Sequence, residues 1–296
     1  MTLNRSISSV EAGSLLLRGE RAEESGEASA RRTRASEMAA ALGRRLTPWI
    51  APTLFLLAWQ VLTTAGIVST KILPSPAAVL AAAVTLIQSG DLFKNLAVSA
   101  GRAGIGLAIG GTLGFSLGLL TGASRLAENL LDGIVQMLRT IPNLALIPLV
   151  ILWFGIGEQA KVFLIAVGVF FPLYLNTYHG VRTVDAGLVE MARSYGLRSG
   201  ALFRHVLLPG ALPSVLVGLR FALGAMWLTL IAAEALAAES GIGFMTTTAR
   251  EFMQTDIVLV GTLLYAILGK LADATAKSLE RRLLRWHPSY LSPNAA

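Results

Sequence analysis

The chain contains no cysteine and only three histidines in 296 residues. The first absence excludes a disulfide framework and any thiol-held metal or cluster. The histidines are widely scattered, with His179 and His205 on either side of one polar stretch, so no metal-ligand spacing arises. Charge is scarce as well. Only 15% of residues are charged, against about 25% in soluble domains. No G-x-x-x-x-G-K-[ST] loop is present, so the sequence lacks that device for holding nucleotide phosphates. What fills the space is apolar: 54% of residues are hydrophobic and the mean hydropathy is +0.62. These residues come in long blocks, which is the mark of a polytopic, all-α membrane protein.

The chain divides into two unequal parts. Residues 1–46 are rich in Ser, Ala, Glu and Arg and nearly devoid of aromatics, a composition expected of a disordered basic tail. They lack the ordered charge, apolar core and small-residue cleavage site of a signal peptide. Met38 to Leu46 could form a short interfacial helix. Residues 47–290 are expected to form one transmembrane domain. Six apolar segments lie in it, at about 48–67, 95–121, 127–154, 160–180, 211–236 and 256–275. Trp49 is placed as an interface anchor for the first. The second carries Gly106, Gly110, Gly114 and Gly118 in G-x-x-x-G spacing, which predicts close helix packing. The third is broken by Pro142 and Pro148, and the fourth contains Pro172.

Arginines set the topology. They crowd the tail (Arg31, Arg32, Arg34, Arg44, Arg45), the loop after the second segment (Arg125), the stretch 180–209 (Arg182, Arg193, Arg198, Arg204) and the C-terminal end (Lys277, Arg281, Arg282, Arg285). The alternate loops are poorer, with Lys71, Lys161 and Arg250. Six spans with both termini in the cytoplasm satisfy the positive-inside rule throughout. The same rule accounts for the net charge of +7 without a nucleic-acid partner, and no aromatic–basic patch argues for one. Residues 68–90 then fall outside: ILPSP is an extended, proline-stiffened connection. The helix after it, around 77–88, is short for a seventh span. Residues 240–255 form the other external stretch.

Ionisable groups within spans are costly and point to function. Arg102, Arg139, Arg220, Glu234 and Asp273 are the candidates. Arg102 and Asp273 lie near span ends, where snorkelling or pairing accounts for them. Arg139 precedes the Pro142 break. Arg139, Arg220 and Glu234 are candidates for a translocation path. Arg139 and Arg220 would attract a passing anion or, equally, pair with Glu234 or loop acids.

Residues 185–213, DAGLVEMARSYGLRSGALFRHVLLPGALP, form a polar island between two apolar segments. Its first half reads as a short amphipathic helix, with Leu188, Met191, Ala192 and Tyr195 on one face and Glu190 and Arg193 on the other. Gly196 permits a sharp turn before Leu197. A second short apolar run, Leu202, Phe203, Val206 and Leu207, leads to Leu208 and Pro209, and Pro209 suits the opening of the next helix.

Glu190, Ala192, Gly196, Leu208 and Pro209 resemble the E-x-A…G…L-P loop of the membrane subunits of binding-protein-dependent ABC importers. The family's usual E-A-A stands here as Glu190-Met191-Ala192. The likeness extends from Trp49 to Tyr290. ILPSP at 72–76, IPNLALIPLVILWFGIGEQAK at 141–161, GLVEMARSYGL at 187–197, LPGALPSVLVGLRFALGAMWLTLIAAE at 208–234, AREFMQTD at 249–256 and GKLAD at 269–273 are similar to permeases of aliphatic-sulfonate importers. These fall within a wider group that also carries taurine and nitrate.

The resemblance implies a six-helix type I importer subunit in the bacterial cytoplasmic membrane, paired with a second copy as a homodimer in lipid. In it, the 185–209 loop is the coupling helix that docks on a cytoplasmic ATPase. Glu190, Ala192, Arg193, Gly196, Leu197, Leu208 and Pro209 are the coupling residues that it implies. A periplasmic or lipid-anchored sulfonate-binding protein delivers the anion, and transport proceeds by alternating access. The chain itself needs no cofactor, because ATP and Mg belong to the partner ATPase. Two other classes stand beside this reading. A stand-alone secondary transporter would need intramembrane carboxylates for ion coupling or inverted repeats with broken helices. An intramembrane enzyme would need clustered catalytic groups, and no Ser–His, paired Asp or His-rich motif lies in the spans.

Overall fold

The computed structural model describes Thr47 and residues 49–237 and 239–286. The tail expected at 1–46, with its interfacial helix at Met38 to Leu46, lies outside the described residues. The chain divides into two compact units, Met1–Val68 and Ser69–Ala296. In the first, α1 (Trp49–Thr64) is a shorter apolar helix. The Thr63 and Thr64 hydroxyls donate back to carbonyls of the preceding turn, and Gly66 follows in the left-handed region at φ +71°.

The described residues of the second unit form helices joined by short turns. Its elements are α2 (Pro76–Gln88), α3 (Asp91–Ala123), α4 (Arg125–Arg139), α5 (Asn143–Phe154), α6 (Glu158–Arg182), α7 (Ala186–Ser194), α8 (Ser199–Leu202), α9 (Leu208–Ala237), α10 (Ile242–Glu251) and α11 (Thr255–Leu283). Among the described residues, four stretches are long and apolar enough to cross a membrane: α3, α6, the run Ser199–Ala235 and α11. They match the second, fourth, fifth and sixth segments expected from the sequence.

The third segment is a bent pair. α4 and α5 meet at 87°, across Thr140, Ile141 and Pro142. Pro142 cannot donate to a helix ladder and biases Ile141 toward extended backbone, so the helix stops before it. Pro148 does not break anything. It sits in the first α-helical turn of α5, where a missing N–H costs nothing.

ILPSP behaves as its composition demands. Ser75 is extended and its hydroxyl accepts from the Ala78 N–H at 3.2 Å, with Pro76 opening α2. At thirteen residues and 1.5 Å per residue, α2 is too short for the roughly 30 Å hydrocarbon core. It packs instead through Val79 and Leu86 against Leu92, Ile242, Met245 and Val260.

α6 lies between α3 and α9. Ile165, Val169 and Leu173 of α6 meet Ala103 of α3 and Ala211, Ala222 and Met226 of α9. The α3 glycines are consumed in this contact. A Cβ on Gly114 would lie 2.6 Å from the Phe170 carbonyl oxygen, one on Gly118 2.7 Å from that of Tyr174, and one on Gly110 would strike the Ala166 carbonyl. The stripe therefore brings two helices of one chain into backbone contact. By contrast, Ile105, Leu113, Leu263 and Ile267 point outward and are exposed, as a lipid-facing surface requires.

Candidate functional site

The island is built as one free helix followed by a turn. The Asp185 carboxylate accepts from the Gly187 N–H at 2.7 Å and caps α7. Gly196, at φ +81°, ends it: Leu197 N–H donates to the Ala192 carbonyl at 3.1 Å and Gly196 N–H to that of Arg193 at 2.9 Å. This paired closure requires a left-handed residue, for which glycine is suited.

Ala192 is buried, so it leaves the face it was expected to share with Leu188, Met191 and Tyr195, which are 49%, 52% and 80% exposed. α7 thus turns Ala192 inward, packs on α8 and on Phe203–Leu207, and presents three large apolar side chains outward. Glu190 and Arg193 are exposed too, and neither forms an ion pair among the described residues.

The second half of the island differs from the sequence expectation. α8 does not stand alone. It runs through a π turn, Phe203–Leu207, directly into α9, so Leu208 and Pro209 lie inside a continuous helix and do not start one. A proline there crowds the carbonyl four residues earlier, that of His205, and the widened π turn takes up that residue. The fifth span therefore begins a dozen residues earlier than hydropathy suggested.

Another π turn, Glu128–Asp132 in α4, faces the island end of α6. Tyr174 and Tyr178 of α6 donate to Asp132 at 2.9 Å and Glu128 at 2.6 Å. Arg182, the last residue of α6, pairs with Glu128 at 2.6 Å. Sequence reading missed this staple, although acids four apart facing tyrosines four apart was a usable signal.

The intramembrane charges separate into two groups. In the first, Arg102 is almost wholly buried and grips Glu158 edge to edge, Nε and Nη2 each 2.6 Å from a carboxylate oxygen. Its Nη1 donates to Glu234 and to the Ser240 carbonyl, both at 2.6 Å. Glu234 also accepts from the Ser99 hydroxyl at 2.7 Å, the Gly243 N–H at 2.9 Å and the Tyr265 hydroxyl at 3.2 Å. Lys161 adds a second contact to Glu158 at 3.1 Å. Two cations and two carboxylates cancel, and every Arg102 nitrogen is engaged. The hub ties α3, α6, α9 and α11 to the turn before α10. Glu234 thus pairs with Arg102, and neither Arg139 nor Arg220 reaches it.

In the second group, Arg220 of α9 meets Asp273 of α11 at 2.7 Å through Nε, and Lys277 takes the other Asp273 oxygen at 2.9 Å. Arg102 and Asp273 are therefore both paired, as their place near span ends suggested. Arg220 and Asp273 line a cavity of about 730 Å³ between α9 and α11. Arg139 closes α4 just before the bend, exposed and without an ion pair among the described residues. Across the bend, the Asn143 amide of α5 donates to the Thr229 hydroxyl of α9 at 3.0 Å. The three path candidates are thus not brought together at one point.

The model of the family described as binding-protein-dependent transport system inner membrane component matches residues 110–285. The putative aliphatic sulfonates transport permease protein SsuC of Escherichia coli (strain K12) is 59% identical over 246 residues, covering 83% of this chain and 94% of that protein. The taurine transport system permease protein TauC of the same organism is 37% identical over 252 residues, covering 83% and 92%. Among solved structures, an amino acid ABC transporter overlays with a TM-score of 0.56 at 16% identity, covering 67% of this chain and 97% of that one. That likeness speaks for the fold, the helical permease fold of ABC importers. A family match over more than half of the chain and relatives this similar lead to one conclusion: the chain belongs to the binding-protein-dependent transport system inner membrane components.

Proposed function

We propose that this chain is the permease subunit of an ATP-driven importer of aliphatic sulfonates, working by alternating access in the bacterial cytoplasmic membrane. It is a transport subunit and not an enzyme. ATP and Mg are bound by separate ATPase subunits, and a sulfonate-binding protein, periplasmic or lipid-anchored, delivers the anion. Two copies pair as a homodimer to enclose the path. Both termini face the cytoplasm, as the arginine distribution favours.

The observation that carries the coupling role is α7. Leu188, Met191 and Tyr195 project from a short, capped helix whose charges Glu190 and Arg193 are unpaired among the described residues. An apolar face rimmed by free charge is suited to a groove on the ATPase. Gly196 and Leu197 form the turn that joins α7 to α8, and α8 runs without a break through the π turn into Leu208, Pro209 and α9, so a tilt of α7 passes to α9 across that one turn. Sulfonate is favoured as cargo by the 59% identity to a protein named for aliphatic sulfonates. Taurine and nitrate are the alternatives that the wider group offers.

Of the three path candidates, our reading keeps Arg220, which lines a cavity. It assigns Glu234 to the buried hub and leaves Arg139 on the exposed end of α4.

The test is growth of a strain lacking this chain on alkanesulfonate, taurine or sulfate as sole sulfur source, with nitrate as sole nitrogen source in parallel. Loss on alkanesulfonate alone, restored by the wild-type chain and not by Glu190→Lys, is the expected result. Loss on taurine or nitrate alone moves the cargo assignment. Full restoration by Glu190→Lys overturns the role of α7.

A further inference from the structure

Arg102 and Arg220 are both paired to carboxylates, yet only one is saturated. Arg102 has spent all three nitrogens and is 3% exposed. Arg220 gives only Nε to Asp273, and its side chain is 49% exposed. Nη1 and Nη2 of Arg220, the pair that clamps two oxygens of an oxyanion side by side, hold no hydrogen bond among the described residues. Asp273 is shared between Arg220 and Lys277, so these three groups together carry one net positive charge, which Glu280 farther along the same wall offsets. Glu280 also lines the cavity, two helical turns beyond Asp273, and has a partner of its own.

The rest of the cavity wall is apolar: Val217, Phe221, Leu223 and Trp227 of α9 face Gly269 and Ala272 of α11. The glycines here are unlike those of α3. A Cβ on Gly224 or on Gly269 would meet nothing within 4 Å. Glycine in a helix interior costs about 0.5–1 kcal/mol relative to alanine, and here no close backbone approach requires it. Gly224 and Gly269 leave the cavity wide on both sides.

We infer that the α9–α11 cavity is a binding site for an alkanesulfonate, the anionic head on the free edge of Arg220 and the alkyl chain along Phe221, Leu223 and Trp227. Arg220 is the one cation among the residues that line the cavity, and its unengaged edge takes one anionic head, with the apolar wall beside it for an aliphatic tail. It fits inorganic sulfate poorly, because a second charge finds no further free cation and the tail space stays empty. Taurine would bring an ammonium into the apolar part. The inference rests on the sulfonate-importer reading and names the groups in the permease that recognise its cargo.

The experiment is uptake of labelled hexanesulfonate and methanesulfonate into proteoliposomes holding the complete transporter, loaded from its binding protein. ATPase co-purification of each variant reports assembly. Arg220→Gln is expected to slow uptake of both sulfonates about tenfold to a hundredfold, the worth of a charged hydrogen-bonded contact. Arg220→Lys should recover part of that loss. Gly224→Leu and Gly269→Leu, which fill the tail space, should slow hexanesulfonate much more than methanesulfonate. Assembled Arg220→Gln and Gly269→Leu transporters that move hexanesulfonate at the wild-type rate overturn the site while leaving the importer reading intact. A wild-type transporter that moves neither sulfonate overturns both. Should Arg220→Gln fail to assemble, the two glycine variants decide.

Discussion

Nη1 of Arg102 stands 2.6 Å from Oε1 of Glu234, and both side chains are almost entirely removed from solvent. One comes from α3 and the other from α9, 132 residues apart in sequence. Neither charge could persist there alone, because burying an unpaired ion is far costlier than burying a matched pair. Glu234→Ala strips Arg102 of one carboxylate and removes the acceptor that holds the Gly243 N–H. Breaking a buried pair from one side costs about 3–5 kcal/mol. The expected outcome is a fall in the detergent thermal midpoint on the order of 10 °C, with loss of folded yield. Glu234→Gln, which keeps acceptors and volume, should fall less. An unchanged midpoint for Glu234→Ala would show that the hub contributes nothing to stability.

The α3 glycine stripe predicts a contrast between two similar substitutions. At Gly110 a side chain meets the Ala166 carbonyl, which is backbone and cannot rotate away. Gly110→Ala should force α3 and α6 apart and destabilise by about 1–3 kcal/mol or more, as overpacked cores do. At Gly104, on the same helix, nothing lies within 4 Å of a Cβ. Gly104→Ala should be neutral or stabilise by about 0.5–1 kcal/mol. Thermal unfolding of the two variants in one detergent measures the difference. Equal effects would mean that the close approach is not what holds the helices.

Most of the helical frame was legible from sequence, and the reasons for the failures are specific. α3, α6, α9 and α11 announce themselves because twenty or more apolar residues in a row have few alternatives. The break at Pro142 was legible, but the 87° angle was not, and neither was the contact just past it between Asn143 and Thr229, 86 residues apart. Pro148 read as a second break because a proline reads the same at a helix start as in its middle. Pro209 read as a helix start because the π turn that accommodates it has no sequence signature. The apolar face of α7 was visible as a period, yet which member turns inward, Ala192, is decided by how α7 folds back on α8 and Phe203–Leu207. Arg102 could be flagged as paired by its cost alone. Its partners could not be named, since Glu158 and Glu234 share no local spacing with it.

The link between Glu128 and Arg182 predicts a coupling effect larger than its effect on stability. Their side chains are 20% and 40% exposed, so the pair contributes about 1 kcal/mol or less. Arg182 is nonetheless the last residue of α6, three residues before the cap of α7, and Glu128 sits in the π turn of α4. Arg182→Glu should leave the thermal midpoint nearly unchanged while lowering uptake, and Glu128→Lys, which also takes the acceptor from the Tyr178 hydroxyl, should lower uptake with a somewhat larger fall in the midpoint. The double variant, which restores an opposite-charge pair, should regain much of the loss. Additive losses in the double variant would show that the two residues act independently.

Gly196 separates folding from coupling most cleanly. Its φ of +81° lies where a β-branched residue is strained, by about 1–2 kcal/mol. No atom lies near enough to clash with a Cβ, so Gly196→Val imposes a purely conformational penalty. The helix end can relax to avoid it, which would break the Leu197-to-Ala192 and Gly196-to-Arg193 closures and swing α7 relative to α9. The membrane helices do not depend on that turn, so the variant should insert and show a wild-type thermal midpoint. On the coupling reading it should fail to retain the ATPase through purification, and Glu190→Lys should fail likewise without any backbone change. Gly196→Asn, tolerated in the left-handed region, should restore both association and uptake. Retention of the ATPase by both Gly196→Val and Glu190→Lys would remove α7 from the coupling path and move attention to the start of α9.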